Sequence, residues 1–126
     1  MRISLIKQPD KLDTSYGGIP SVPLKQDERA ETFVFDFNLF DDINTDADLD
    51  FFEMEYLNPI NKLCGTLLDN GDVDYIKAVY CPILAEWLSE KLGASRLTEH
   101  ERCFFTRLLD YVQEAALLGT GVVVEF

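Results

Sequence analysis

Apolar positions recur along this chain at two periods, and the switches between them lay out its elements. Ile3 and Leu5 alternate with polar residues over 2–7, which predicts a short strand. The alternation is cleanest over 32–40, Thr-Phe-Val-Phe-Asp-Phe-Asn-Leu-Phe. There Phe33, Phe35, Phe37 and Leu39 share one face while Asp36 and Asn38 take the other, so a half-buried strand is expected. Gly121-Val-Val-Val-Glu-Phe126 reads as a last strand, and its unbroken Val122–Val124 suits a central position covered on both faces.

Between these strands the period becomes helical. Leu49, Phe52 and Tyr56 fall at i, i+3 and i+7 over 46–57, with Thr45 or Asp46 as N-cap and acids in the first turn. Asn58-Pro59 reads as the cap and first position of a second helix, whose stripe of Ile60, Leu63, Cys64, Leu67 and Leu68 stops at Asp69-Asn70-Gly71. Residues 73–80 are expected to form a short helix ending before Pro82. Pro82 opens the next helix, with Ile83, Leu84, Trp87, Leu88 and Lys91 at helical spacing and Gly93 as the stop. A proline inside a helix loses a hydrogen bond and clashes, so the chain must break or kink between Val79 and Ile83. Thr98-x-x-Glu101 is a capping box that opens the strongest helix, lined by Phe104, Leu108, Tyr111, Ala115 and Leu118 and closed by Gly119.

Residues 9–30 carry Pro9, Gly17, Gly18, Pro20 and Pro23 and show neither period. A connector this long is a mobile binding loop, an ordinary surface excursion, or a small hairpin around Tyr16-Gly17-Gly18. The whole predicts one α+β domain over 1–126. A small sheet from the N-terminal, Phe33–Leu39 and C-terminal strands packs against about four helices on one face.

Composition changes this picture through the sign of the charge. The chain has 23 acids against 11 bases, a net charge of −12, which disfavours nucleic acid and anionic membranes and favours basic proteins. Residues 31–58 hold nine of the acids and no base. Within them Asp41, Asp42, Asp46, Asp48, Asp50, Glu53 and Glu55 repel one another, and a chain that keeps them needs a counter-charge from outside. No apolar run approaches membrane-spanning length, and the start, Met-Arg-Ile-Ser-Leu-Ile-Lys-Gln, lacks the apolar core of a signal peptide. Cys64, Cys81 and Cys103, irregularly spaced and all on apolar helical faces, suit a reduced cytosolic protein.

Two readings of the acidic stretch compete. Asp42-x-Asn44-x-Asp46-x-Asp48-Leu49-Asp50-x-x-Glu53 has the spacing of a single degenerate EF-hand loop. In it Asp42, Asn44, Asp46, Asp48 and Glu53 would supply hard oxygens to calcium. Against it stand Ala47 where the turn needs Gly, a strand-like segment before the loop, and no second loop to pair with. The other reading is a recognition surface: on a helix Asp46, Asp50 and Glu53 form one stripe, extended by Asp41 and Asp42, with Phe51 or Tyr56 as aromatic anchors. A merely solvated acidic face is the plainest version. Nucleophilic chemistry finds little support. His100 is the sole histidine, and there is no phosphate loop, zinc spacing or Ser-His-Asp arrangement. No cofactor is implied.

In size, acidity, cytosolic character and α+β order, the chain resembles the small immunity proteins that accompany bacterial toxins, including those of contact-dependent growth inhibition. The resemblance implies a non-enzymatic protein that binds a basic toxin domain, often a nuclease, and blocks its active site. A phage-encoded acidic mimic of nucleic acid is a relative of the same idea. The resemblance carries no motif, so Asp41–Glu55, Phe51 and Tyr56 are singled out by charge and pattern alone.

Overall fold

Arg2–Ile6 forms strand β1 at the middle of a four-stranded antiparallel sheet in a computed structural model that describes residues 1–94 and 96–126. The order is β2-β1-β4-β3, with β2 at Ala30–Val34, β3 at Val73–Ile76 and β4 at Val122–Glu125. Ile3 pairs with Phe33 on one side and Val124 on the other. The sheet therefore joins both terminal strands, as the patterns predict, and places the Val122–Val124 run centrally.

The expected strand 32–40 is shorter than its alternation suggests. Val34 lies opposite Arg2, and the Phe35 N–H donates to the Met1 carbonyl at 3.1 Å. Past that point no strand lies alongside among the described residues. Asn38 then turns the chain: its side-chain oxygen accepts the Phe40 N–H at 2.9 Å and opens a 3-10 turn, Leu39–Asp42. Phe35 and Leu39 still reach the core, so the face was right although the strand stops early.

The second helical region is one rod with a defect. Helix α1, Asp46–Phe52, is capped by Thr45, whose Oγ1 accepts the Asp48 N–H at 3.1 Å. It runs through a π turn, Glu53–Leu57, into α2, Asn58–Cys64. Asn58 is therefore not a cap: its backbone is helical and its N–H reaches back five residues to the Glu53 carbonyl. The wide turn lies just ahead of Pro59, which has no N–H to give, so the helix continues where a regular one would clash. Gly65, in the left-handed conformation at φ 64°, ends α2 six residues before the expected stop at Gly71, and Leu67 is left exposed.

Residues 73–80 are a second correction: β3 and a 3-10 turn, Ala78–Tyr80, replace the expected helix. The Val-Asp-Tyr-Ile sequence adds to the open edge of β4, in register Val73↔Glu125 to Ile76↔Val122. Asp74 supports the turn into it, accepting the Leu67 N–H at 2.8 Å. The break at Pro82 is present, since α3, Cys81–Ala94, begins one residue earlier. It packs against α4, Glu99–Leu118, whose capping box has both of its hydrogen bonds. Ile83 and Leu118 sit at the margins of their stripes and are half exposed.

The core lies between the helices and one sheet face, where Ile3, Leu5, Ile76, Val122 and Val124 meet Phe104, Leu108 and Tyr111 of α4. On the other face the 9–30 segment acts as a cover. Leu12, Ile19 and Val22 pack on Ile6, Ala30 and Val123. The segment contains the small hairpin: Thr14 bridges Pro20, and the Ser15 N–H donates to the Ile19 carbonyl at 2.7 Å. Gly17 and Gly18 supply the positive φ values of 80° and 76° at its tip. Among the described residues, no helix is long and apolar enough to cross a membrane.

Candidate functional site

The acidic stretch lies on a floor of aromatic rings. Phe104, Phe126, Phe40, Phe52, Tyr56 and Phe105 form a closed circuit, each ring centroid 4.9–5.7 Å from the next. Phe40, Phe52 and Tyr56 belong to the acidic stretch itself and anchor the 3-10 turn, α1 and the π turn from below. Edge-to-face and tilted contacts of this kind add about 0.5–1.5 kcal/mol per pair beyond burial. The carboxylates thus stand on a rigid platform.

Their individual settings differ. Asp41, Asp46, Asp48 and Asp50 are exposed. Asp46 and Asp48 occupy the first turn of α1, where the positive end of the helix dipole favours them. Asp42 is tied to α4: its Oδ2 lies 2.8 Å from His100 Nδ1, and the imidazole stacks flat on Phe37 with centroids 4.0 Å apart. Glu53 is half buried at the start of the π turn. Glu55 accepts from Lys91 Nζ at 2.6 Å, and that ammonium also lies 5.1 Å above the Tyr56 ring and 5.9 Å from Trp87. Among the described residues, Lys91 and His100 are the only cationic or titratable bases paired with this stretch.

The two aromatic candidates separate. Phe51 is 51% exposed. Tyr56 is 1% exposed, stacks on Phe105 and donates its hydroxyl to the Arg96 carbonyl at 3.4 Å. Tyr56 is therefore core, and no partner can grip it. Met54 is 63% exposed and lies three residues from Phe51 on the same helical surface.

The EF-hand arrangement does not form. Thr45 starts a helix at the fifth position of the twelve, so Asp46 and Asp48 point to different sides of α1. The Asn44 side chain is directed to the Asp42 carbonyl. Among the described residues, no three His, Cys, Asp or Glu side chains converge as metal ligands.

Instead the fold creates a cleft. It opens between the 3-10 turn, α1, and the connector that leads into α4, with a volume of about 440 Å³. Leu39, Ile43, Phe52 and Leu97 floor it and Phe51 walls it. Asp42, Asp48 and Glu101 stand at the rim with Arg96 and Thr98. Sequence reasoning could not assign Arg96, Leu97 or Glu101 to this site. The capping box marked the start of α4 but not what that start would lie against.

The cysteines lie elsewhere. Burial pushes the Cys64 thiol up to about 12 and the Cys81 thiol up to about 11, so both stay protonated at neutral pH. Cys103 is exposed on α4, contrary to the expectation of an apolar setting. Comparison with protein-family models, curated proteins and solved structures finds no match for this chain.

Proposed function

We propose that this chain is a non-catalytic binding protein that docks a basic partner on the face built by Asp41–Glu55. We propose further that the partner is a toxin domain, by preference a nuclease, which the chain neutralises in the cytosol as an immunity protein. The observation that carries the reading is the pairing of charge and shape on one segment. Exposed Asp48 lines a formed cleft with the half-exposed Phe51, and Asp41, Asp46, Asp50 and Met54 stand exposed on the same turn and helix. Aromatic and Met anchors ringed by charge are the usual make-up of a protein contact. A face that only kept the domain soluble would have no use for the exposed Phe and Met. The acids steer a basic partner in, and the apolar anchors hold it.

The test uses the protein encoded immediately upstream of this gene. Its toxic domain is expected to be basic, to stop growth when expressed alone, and to be silenced by co-expression of this chain. By stopped flow, Asp46→Asn with Asp50→Asn and Glu53→Gln should slow association and flatten its salt dependence. Neutralising Glu86, Glu90 and Glu114 instead should do much less. Equal effects from the two sets would mean that net charge alone matters. An upstream product that shows no binding at low salt would overturn the reading.

A further inference from the structure

We infer that the cleft beside Phe51 is a receptor for one arginine side chain of the partner, an inference that rests on the docking reading above. The lining dictates the chemistry of the occupant. Leu39, Ile43 and Leu97 offer an apolar floor with no hydrogen-bonding groups on their side chains. Asp42, Asp48 and Glu101 hold the rim, and Arg96 offsets one of the three charges. A guest must therefore carry methylenes on its stem and a positive charge at its tip. The volume of about 440 Å³ lies at the small end of the range in which pockets hold ligands, about 300–1,000 Å³.

The rim acids are not equally committed. Asp42 Oδ2 faces His100, and Glu101 Oε1 accepts the Thr98 N–H at 2.9 Å, so among the described residues each keeps one oxygen free. Asp48 makes no ion pair among the described residues. It is the acceptor to which the guanidinium goes. Arginine fits better than lysine for three reasons. Its planar fork matches carboxylates two bonds at a time, it is less strongly hydrated, and it stacks on an exposed ring such as Phe51. The same pairing occurs within this chain, where the Arg107 guanidinium lies 4.2 Å from the Phe33 ring centroid.

The experiment needs no partner. The full ¹⁵N-labelled chain is titrated at low ionic strength with N-acetyl-arginine amide and, separately, with N-acetyl-citrulline amide, its uncharged isostere. The expected result is saturable amide shifts centred on Asp48, Phe51 and Leu97 with the arginine compound, and binding about tenfold weaker with citrulline, as for the loss of one charged hydrogen-bond pair. Asp48→Asn should abolish the difference, while Glu86→Gln and Glu90→Gln, on α3 and outside the cleft, leave it in place. Equal binding of the citrulline compound would make this a site for neutral molecules and overturn the inference. So would shifts that spread over the whole acidic surface without saturating. If the arginine compound fails while a basic toxin still binds, this inference falls and the docking reading stands. If it binds in the cleft while no basic partner binds the face, the docking reading falls and the arginine site stands.

Discussion

Lys91 is a cation that the fold itself supplies to its acidic face, and removing it is a direct test of how that face is held. The substitution is Lys91→Met, which keeps the methylene stem against Trp87 and Tyr56 and deletes only the charge. The side chain is 21% exposed and its partner Glu55 36%, so the pair is neither a surface bridge nor a buried one. Exposed pairs contribute about 0–1 kcal/mol, and hydrogen bonds to charged groups about 1.5–3. A value of about 1–1.5 kcal/mol for this 2.6 Å contact is the appropriate middle. The ammonium over Tyr56 adds about 0.5–1 kcal/mol. Together the loss is about 2 kcal/mol, which for a domain of this size lowers the melting temperature by roughly 8 °C.

The assay is urea and thermal unfolding by circular dichroism for wild type, Lys91→Met, Glu55→Gln and the double variant. Glu55→Gln removes a carboxylate from a crowded field as well as a bridge, so it should cost less than Lys91→Met. The cycle should return a coupling of about 1–1.5 kcal/mol. Added salt at about 1 M, where the screening length falls to about 3 Å, should recover part of the loss in Lys91→Met by screening the acids left without their cation. A single variant within about 0.5 kcal/mol of wild type, or a cycle that closes additively, would refute the claim that Lys91 holds the acidic face to α3.

Thr98→Ala removes the Oγ1 that accepts the Glu101 N–H and should cost about 1 kcal/mol, read as a lower urea midpoint with unchanged slope. Gly121→Ala should cost at least the 1–3 kcal/mol typical of overpacking, because its Cβ would stand 2.3 Å from the Ile76 carbonyl oxygen and 2.5 Å from the Tyr75 ring. Gly93→Ala meets nothing within 4 Å and should be neutral or gain up to about 1 kcal/mol, so equal melting temperatures for the two would contradict the β3–β4 packing. Burial raises the folded-state pKa of Cys64 to about 12, of Cys81 to about 11 and of Tyr111 to about 12. Stability should therefore be full below about pH 8, where these groups are protonated even when unfolded, and should fall as pH rises toward 12. Unfolding free energy measured across that range checks the sign, and a rise above about pH 8 would contradict it. Ellman's reagent should likewise titrate one thiol, Cys103, in the native protein and all three only in denaturant.

The sheet and α4 were legible because local and tertiary signals agree there. Val122–Val124 is apolar on both faces and becomes a central strand, and Thr98 and Glu101 cap as their spacing says. Where the reading failed, a partner distant in sequence decided. Val73–Ile76 is too short to declare its period, and it pairs as a strand because β4 leaves an edge open 46 residues or more later. Phe37 has the alternation of a strand residue, yet it leaves the sheet and stacks on His100. Tyr56 and Phe51 look alike as aromatic anchors among acids. Only the direction each side takes from the helix, set by Phe105 beneath, tells that one is core and the other surface. The cleft was not legible at all, since Phe51 and Leu97 are brought together by the return of α4 after α3.

The π turn links these failures to the candidate site. A regular helix through Glu53–Cys64 would set the Pro59 ring against the carbonyl four residues back and break there, as the sequence pattern expects. With one extra residue in the turn, the rod continues, and Tyr56, Leu57 and Ile60 all reach the core. The same wide turn carries Met54 outward beside Phe51 and brings Glu55 to Lys91. A broken helix would have needed a loop at this point, and a loop would have left the carboxylates on mobile backbone. The continuous rod instead fixes Asp46, Asp48 and Asp50 relative to the rings below them. On the docking reading proposed above, that rigidity would leave less ordering entropy to be lost when a partner binds. The conformational irregularity and the acidic face are therefore one feature of the chain.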